Sequence, residues 1–242
     1  MVETAGGSGI LAIPIGAAIA LFGDAASSPG GLDEGGLAAA AGDAIERRFG
    51  RAVPVLYALQ LHGRLSYTYS AAGPLPPGPH LVGGCDALLT SETWTALTVR
   101  TADCLPVALA GGGVVAMVHA GWRGLACDVL GAVIGRLRAE FGVAAGALEA
   151  VVGIGIGPCH YRVGDEVAAA LERLPVAGDG WRGDGVVDLA RFAAGRLAAL
   201  GLDPAHTRAL PGCTACSPAY HSYRRDGAAA GRQWSAIVIS GG

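Results

Sequence analysis

The chain has 242 residues, 52% of them apolar and 15% charged, with a net charge of −3, a balance that suits a single well-packed domain and argues against disorder. It contains no Lys and no Asn, so all 17 basic residues are Arg, which excludes a Schiff-base lysine, a Walker-type phosphate loop and a papain-like Cys-His-Asn set. The arginines are scattered rather than gathered into the basic stripe that binding to nucleic acid requires.

The first apolar run, Ile10 to Phe22, contains Pro14 and Gly16 and has no basic residue before it. It is too short to cross a bilayer and has the wrong flank for a secretory signal, so the expectation is a buried first strand in a cytoplasmic protein with no membrane partner. Ala38 to Phe49 has the pattern of a helix that ends at Gly50. Val53 to Ala58 and Leu65 to Tyr69 alternate as strands, and the Pro/Gly-rich segment 72–80 reads as a surface loop.

Three successive strands are expected at Thr95 to Arg100, Cys104 to Ala110 and Val114 to His119. Leu125 to Phe141 carries its apolar residues at a helical period, which predicts one helix with Cys127 in the core. A Gly-rich strand at Val151 to Ile156 follows, then a helix at Asp165 to Leu174. Asp188 caps a further helix that ends at Gly201, and Arg232 to Ile239 is a closing strand. Strands alternate irregularly with helices, so the pattern favours an α+β fold over a doubly wound sheet. The six cysteines, at 85, 104, 127, 159, 213 and 216, are expected to be reduced.

The segment from Thr101 to Gly124 is the most informative. If its turn is the pair Gly111-Gly112, then Ala110 faces Gly113 and Cys104 faces His119, with Cβ atoms ~4.5–5.5 Å apart. A thiolate and an imidazole so placed either share a metal ion or form an ion pair. A catalytic zinc site needs a third ligand beside an open position. The remaining histidines, His62, His80, His160, His206 and His221, are all candidates, and spacing selects none of them. Beyond His119, Gly121-Trp122-Arg123 leads into a helix whose N-terminus would suit an anion, with Arg123 as its anchor. Cys213-Thr214-Ala215-Cys216 has the spacing of half a zinc knuckle, but no second CxxC completes it, so it reads as an incidental reduced pair near a turn. The dipeptide Cys159-His160 is similarly ambiguous.

An ordered set of motifs runs from about residue 55 to 235. It comprises Gln60-Leu61-His62-Gly63, Asp86-Ala87-Leu88-Leu89-Thr90, Thr101-Ala102-Asp103-Cys104-Leu105-Pro106 and Val118-His119-Ala120-Gly121-Trp122-Arg123-Gly124. Gly157-Pro158-Cys159-His160-Tyr161-Arg162-Val163-Gly164, Cys213-Thr214, Ser222-Tyr223-Arg224-Arg225-Asp226-Gly227 and Gly231-Arg232 follow. In this the chain closely resembles the YfiH family, also called laccase-domain or polyphenol oxidase proteins and purine nucleoside phosphorylases. The resemblance implies a single α+β catalytic domain over residues 1–242, with mixed or antiparallel sheets flanked by helices as in the catalytic domain of cytotoxic necrotizing factor toxins. It also implies zinc, rather than copper, held by His62, Cys104 and His119. The chain departs from the family before about residue 52, where Phe22 to Gly36 lacks the Arg that usually precedes a Gly-Gly-Val-Ser stretch.

The leading expectation is a zinc enzyme acting on purine nucleosides, by phosphorolysis of inosine or adenosine or by deamination of adenosine. Arg123 and Arg224 are candidate phosphate anchors. Asp103 is the candidate proton carrier beside the catalytic Cys104, His119 and His62, and Asp86 is a further candidate for substrate contact. A second expectation is an amide hydrolase that edits peptidoglycan precursors at a muramoyl-serine bond, with Cys104 as nucleophile or zinc as activator. Polyphenol oxidation ranks third: Met117 lies two residues before His119, as near a copper ligand, but the chain has six His and no His-x-His pair.

Overall fold

The computed structural model describes residues 3–4, 9–71, 73 and 75–241. The first half runs β1 (Glu3–Thr4), β2 (Ile10–Ile15), β3 (Ala18–Gly23), α1 (Glu34–Phe49), β4 (Pro54–Leu59), β5 (Ser66–Tyr69), β6 (Gly78–Gly84), β7 (Ala87–Thr90), β8 (Ala96–Thr101), β9 (Leu105–Gly111) and β10 (Val114–Ala120). The second half runs α2 (Trp122–Ala126), α3 (Val129–Phe141), β11 (Glu149–Val152), α4 (Asp165–Leu171), β12 (Arg182–Gly183), β13 (Val186–Val187), α5 (Leu189–Ala199), β14 (Thr207–Ala209), α6 (Tyr223–Asp226) and β15 (Gln233–Ile239).

These strands form two large sheets and one small ribbon. The first sheet has the order β1-β2-β3-β15-β8-β4-β6, the second β14-β11-β9-β10-β7-β5, and β12 pairs with β13. Both large sheets are mixed. The first is antiparallel from β1 to β8 and parallel across β8-β4-β6. The second is antiparallel across β11-β9-β10-β7 and has β14 and β5 added in parallel at its edges. The architecture is therefore the expected α+β type with mixed sheets and flanking helices.

The sheets stack face to face. Leu56, Leu97 and Ile237 of the first meet Leu88 and Met117 of the second, and none of the five is more than 1% exposed. Helix α1 covers the outer face of the first sheet through Leu37, Ala41 and Ile45. Helices α3 and α5 cover the outer face of the second through Leu130, Val133, Leu137, Phe192 and Leu197. Each of these leucine, isoleucine, valine and phenylalanine side chains contributes about 1.5–3 kcal/mol by leaving water. Strand β10 is buried along its whole length, which explains its apolar run from Val114 to Val118: a strand covered on both faces has no polar side to show.

Several elements differ from expectation for identifiable reasons. The apolar run at Ile10 to Phe22 is a hairpin, not one strand, because Gly16 takes a φ of 54° and turns the chain. Helix α1 starts earlier than Ala38, since the Asp33 side chain accepts the Gly36 N–H at 2.7 Å and caps it. The helix expected at Leu125 to Phe141 is broken into α2 and α3. Asp128 adopts a left-handed φ of 62°, caps α3 through the Gly131 N–H, and has its two oxygens taken by Arg196 at 2.9 and 2.7 Å. Cys127 ends α2 and is exposed, not a core residue. The Gly-rich strand stops at Val152. Part of the segment 72–80 belongs to β6, and its Ala72 and Pro74 lie outside the described residues. Among the described residues, no helix is long and apolar enough to cross a membrane.

Candidate metal centre and cleft

The chain passes from the first sheet to the second three times, between β4 and β5, between β6 and β7, and between β8 and β9. His62 lies on the first of these crossings, Asp86 on the second, and Asp103 and Cys104 on the third. All three crossings meet the end of β10, which carries His119.

The hairpin of β9 and β10 reaches this point in a different register from that expected. Val114 faces Gly111, so the two-residue turn is Gly112-Gly113, with φ of 58° and 78°. Two consecutive positive φ values are what a tight hairpin turn of the I′ type requires, and glycine takes them without strain. His119 consequently faces Pro106, and Cys104 lies opposite Gly121, diagonal to His119. The displacement is two residues, an even number, so both side chains remain on one face. Gly121 is needed there: a Cβ at that position would lie 2.8 Å from the Cys104 sulfur.

The ligand atoms of His62, Cys104 and His119 all lie within 4.8 Å of one another. The two imidazole rings are edge to face, with centroids 4.8 Å apart. His119 is buried, Cys104 half-buried and His62 exposed, so the group is open on the His62 side. One thiolate and two imidazoles around an open fourth position form a donor set suited to zinc. Met117, on the same face of β10 as His119, is 0% exposed in the core between the sheets.

Asp86 organises two of the three. It is 1% exposed and does not line the cleft. One carboxylate oxygen accepts from His119 Nδ1 at 2.8 Å and from the His62 N–H at 2.9 Å, and the other accepts the Gly63 N–H at 2.8 Å. That set holds His62 in a left-handed conformation with φ of 57° and leaves His119 Nε2 for the site. Asp103 plays a comparable local part beside Cys104. Its φ is 88°, and its carboxylate accepts from Thr214 Oγ1 and from the Arg224 N–H, each at 2.6 Å.

The electrostatics follow from this packing. Burial alone would raise the Cys104 thiol, but His119 and His62 outweigh it and bring Cys104 down to about 6. Burial alone would depress His119, but the hydrogen bonds to Asp86 and Cys104 raise it to about 9. Burial opposes ionisation of Asp86 as well, yet the hydrogen bonds from His119 and the Gly63 N–H hold it below the usual carboxylate range. A metal-free centre therefore holds a thiolate beside an imidazolium, backed by a carboxylate.

A cleft of about 550 Å³ opens over the three residues. Four arginines, Arg100, Arg123, Arg224 and Arg232, line it together with Trp122, Tyr161 and Tyr223. Arg100 pairs with Glu34 at 2.5 Å. Arg224 lies 5.2 Å over the Tyr161 ring, and its Nη1 donates to the carbonyls of His160 and Arg162. Arg232 donates to Ala230 and Gly231. Arg123 stacks 4.6 Å over Trp122, and among the described residues its guanidinium has no hydrogen-bond or carboxylate partner. Helix α2, which follows, has only five residues, so the cationic character of the cleft comes from side chains and not from a long helix dipole.

The other histidines lie elsewhere. His80 donates to the Pro76 carbonyl and His221 to the Ser28 carbonyl, each at 2.8 Å. His160 joins Cys159, Cys213 and Cys216 in a second cluster. The Cys213-to-Cys216 motif is thus not the isolated pair that its spacing suggested. Tyr161, Tyr223 and Arg232 belong to the ordered motifs but carry no assigned role there, and Arg100 reads from the sequence only as the end of a strand.

A purine nucleoside phosphorylase of Xylella fastidiosa (strain 9a5c) is 40% identical over 151 residues, which is 58% of this chain and 56% of that protein. The chain spans just over half the length of that relative. A purine nucleoside phosphorylase of Streptomyces coelicolor is 36% identical over 189 residues, 74% of each chain. The crystal structure of the Bacillus licheniformis protein YfiH superposes with a TM-score of 0.84 over 97% of this chain and 98% of its own, at 20% identity, and so shares the fold. The model of the family described as multi-copper polyphenol oxidoreductase laccase matches residues 39–240. With its two stacked sheets and its His2Cys group at their common end, the chain belongs to that family, the YfiH family.

Proposed function

We propose that this chain is a zinc-dependent purine nucleoside phosphorylase. The observation that carries the reading is the cluster of four guanidinium groups lining one cleft with His62, Cys104 and His119, in which Arg123, stacked on Trp122, has no hydrogen-bond or carboxylate partner among the described residues. Phosphorolysis joins a phosphate oxygen to C1′ of the ribose and breaks the bond to the base, which leaves with the electron pair and takes up a proton. Arg123 is placed to hold the phosphate dianion, and a guanidinium does this through paired, charge-assisted hydrogen bonds. Trp122, Tyr161 and Tyr223 offer aromatic faces for a purine. Asp86 keeps His119 in one tautomer, and Asp103 fixes the backbone that presents Cys104. When bound, zinc would supply Lewis acidity at the open position between the three ligands.

One observation favours a second reading. Cys104, His119 and Asp86 also have the order of a nucleophile, a base and an orienting carboxylate. Without metal, that arrangement suits attack of the Cys104 thiolate on an amide carbonyl, as in editing of a muramoyl-serine precursor.

The test is to incubate the purified protein with inosine or adenosine in phosphate and to follow free base and ribose 1-phosphate by chromatography. Base and ribose 1-phosphate should appear in equal amounts and be lost in Cys104→Ala. If neither base is released, or if adenosine yields only inosine, phosphorolysis is wrong. Amide cleavage by metal-free protein would establish the second reading instead.

A further inference from the structure

The structure assigns a second metal site, structural and separate from the cleft centre, to Cys159, His160, Cys213 and Cys216. The four ligand atoms all lie within 4.8 Å of one another. Cys159 and Cys216 have their sulfurs 3.4 Å apart. His160 Nδ1 lies 3.4 Å from the Cys159 sulfur, 3.8 Å from that of Cys213 and 3.3 Å from that of Cys216. A tetrahedral zinc with bonds of about 2.3 Å to sulfur and about 2.1 Å to nitrogen requires edges of about 3.8 Å between sulfurs and about 3.6 Å from sulfur to nitrogen. The four separations fall within a few tenths of an ångström of those edges. A disulfide would bring two sulfurs to about 2.05 Å, and all six cysteines are free.

The local chain is shaped to deliver these ligands. Gly157 to His160 is one tight turn, closed by the His160 N–H on the Gly157 carbonyl at 3.0 Å. Cys213 to Cys216 is another, closed by the Cys216 N–H on the Cys213 carbonyl at 3.2 Å. The Gly157 N–H donates to the Cys213 sulfur at 3.2 Å, the kind of contact that supports a thiolate ligand. Three sulfurs and one nitrogen complete a tetrahedron and leave no open position, so the site holds structure and does no chemistry. A soft, thiolate-preferring divalent ion, zinc foremost, fits it. The ion would join the turn that precedes Tyr161 to the turn whose Thr214 holds Asp103 at 2.6 Å. It would thereby fix one wall of the cleft.

The experiment measures metal, not turnover, so it stands apart from the proposed activity. Protein purified under reducing conditions with zinc should contain two equivalents per chain by elemental analysis. The double variant Cys104→Ala, His119→Ala should retain one. With cobalt in place of zinc, that variant should show thiolate-to-cobalt charge transfer and tetrahedral ligand-field bands. The double variant Cys213→Ser, Cys216→Ser should lose one equivalent, and its remaining cobalt spectrum should fall to the weaker charge transfer of the single Cys104 thiolate. A metal-free Cys104→Ala, His119→Ala protein, cobalt spectra without thiolate bands in it, or a Cys159–Cys216 disulfide in its peptide map would overturn the assignment.

Discussion

The Asp86 carboxylate binds His119 Nδ1 at 2.8 Å and, through the same oxygen, the backbone N–H of His62 at 2.9 Å. One buried acid thus sets the ring of one candidate ligand and the main chain of another. Asp86→Asn should retain the fold and lower zinc affinity roughly 10- to 100-fold, the usual cost of losing such a partner. Competition with a chromophoric chelator measures it, and unchanged affinity would remove Asp86 from the site.

The thiolate–imidazolium pair gives the metal-free protein a defined pH dependence. Cys104 is lowered to about 6, so its thiolate persists as pH falls until that value; His119 is raised to about 9, so its charge persists as pH rises until that value. The pair exists between the two. In chelator-treated protein, alkylation of Cys104 followed by peptide mass spectrometry should rise through about pH 6 and be steady above it. Asp86→Asn should move the midpoint upward, because His119 then loses the carboxylate that keeps it charged. A midpoint near that of an ordinary thiol in the unaltered protein would refute the pairing.

Gly121 stands where a methyl group would meet the Cys104 sulfur at 2.8 Å and His62 Cδ2 at 3.5 Å. Its φ of −76° and ψ of 167° suit alanine, so the backbone is not strained by the change. Gly121→Ala should therefore melt near the unaltered temperature while its zinc affinity falls at least about tenfold, since ligands held out of geometry bind poorly. Equal affinity would show that Cys104 is not a ligand in this position.

Arg123→Ala tests the phosphate assignment. Loss of a charge-assisted anchor of about 1.5–3 kcal/mol should raise the KM for phosphate roughly 10- to 100-fold. The KM for nucleoside should change little. A loss confined to kcat, with phosphate KM unaltered, would place the anion elsewhere.

Asp128 is a matter of stability. Its carboxylate joins Arg196, which is 7% exposed, to the start of α3. Asp128→Ala leaves a buried guanidinium short of its partner and removes a helix cap, at a cost of about 2–4 kcal/mol. Urea unfolding at fixed metal content reads the change; a loss below about 1 kcal/mol would show that the ion pair is solvent-screened.

The core was legible in the sequence where local pattern and tertiary burial agree. Strands β4, β8, β9, β10 and β15 fall within a residue or two of their expected bounds, because their apolar runs are buried in one central stack. The hairpin turn was misplaced by one position because three consecutive glycines give no local preference for one pair; the packing of Gly111 against Ala147 decides it, where a Cβ on Gly111 would lie 2.2 Å from that carbonyl oxygen. The break at Asp128 was invisible because its cause, Arg196, lies 68 residues away. The assembly of Cys159, His160, Cys213 and Cys216 was hidden for the same reason. Each half looks incomplete, and only the parallel pairing of β11 with β14 brings the turns beyond them together.

The three crossings between the sheets have a kinetic consequence. Cys104 and His119 flank the single β9–β10 hairpin, whereas His62 comes from the separate β4–β5 crossing. The hairpin alone would offer a metal ion two donors, and the third would arrive only with the β4–β5 crossing. Completion of the three-donor set would then be a late event, marked by the docking of the β4–β5 crossing against the hairpin, and release of an ion would need only His62 to move away on the open side. Rates of metal exchange would accordingly time the opening of that crossing, not the parting of the sheets.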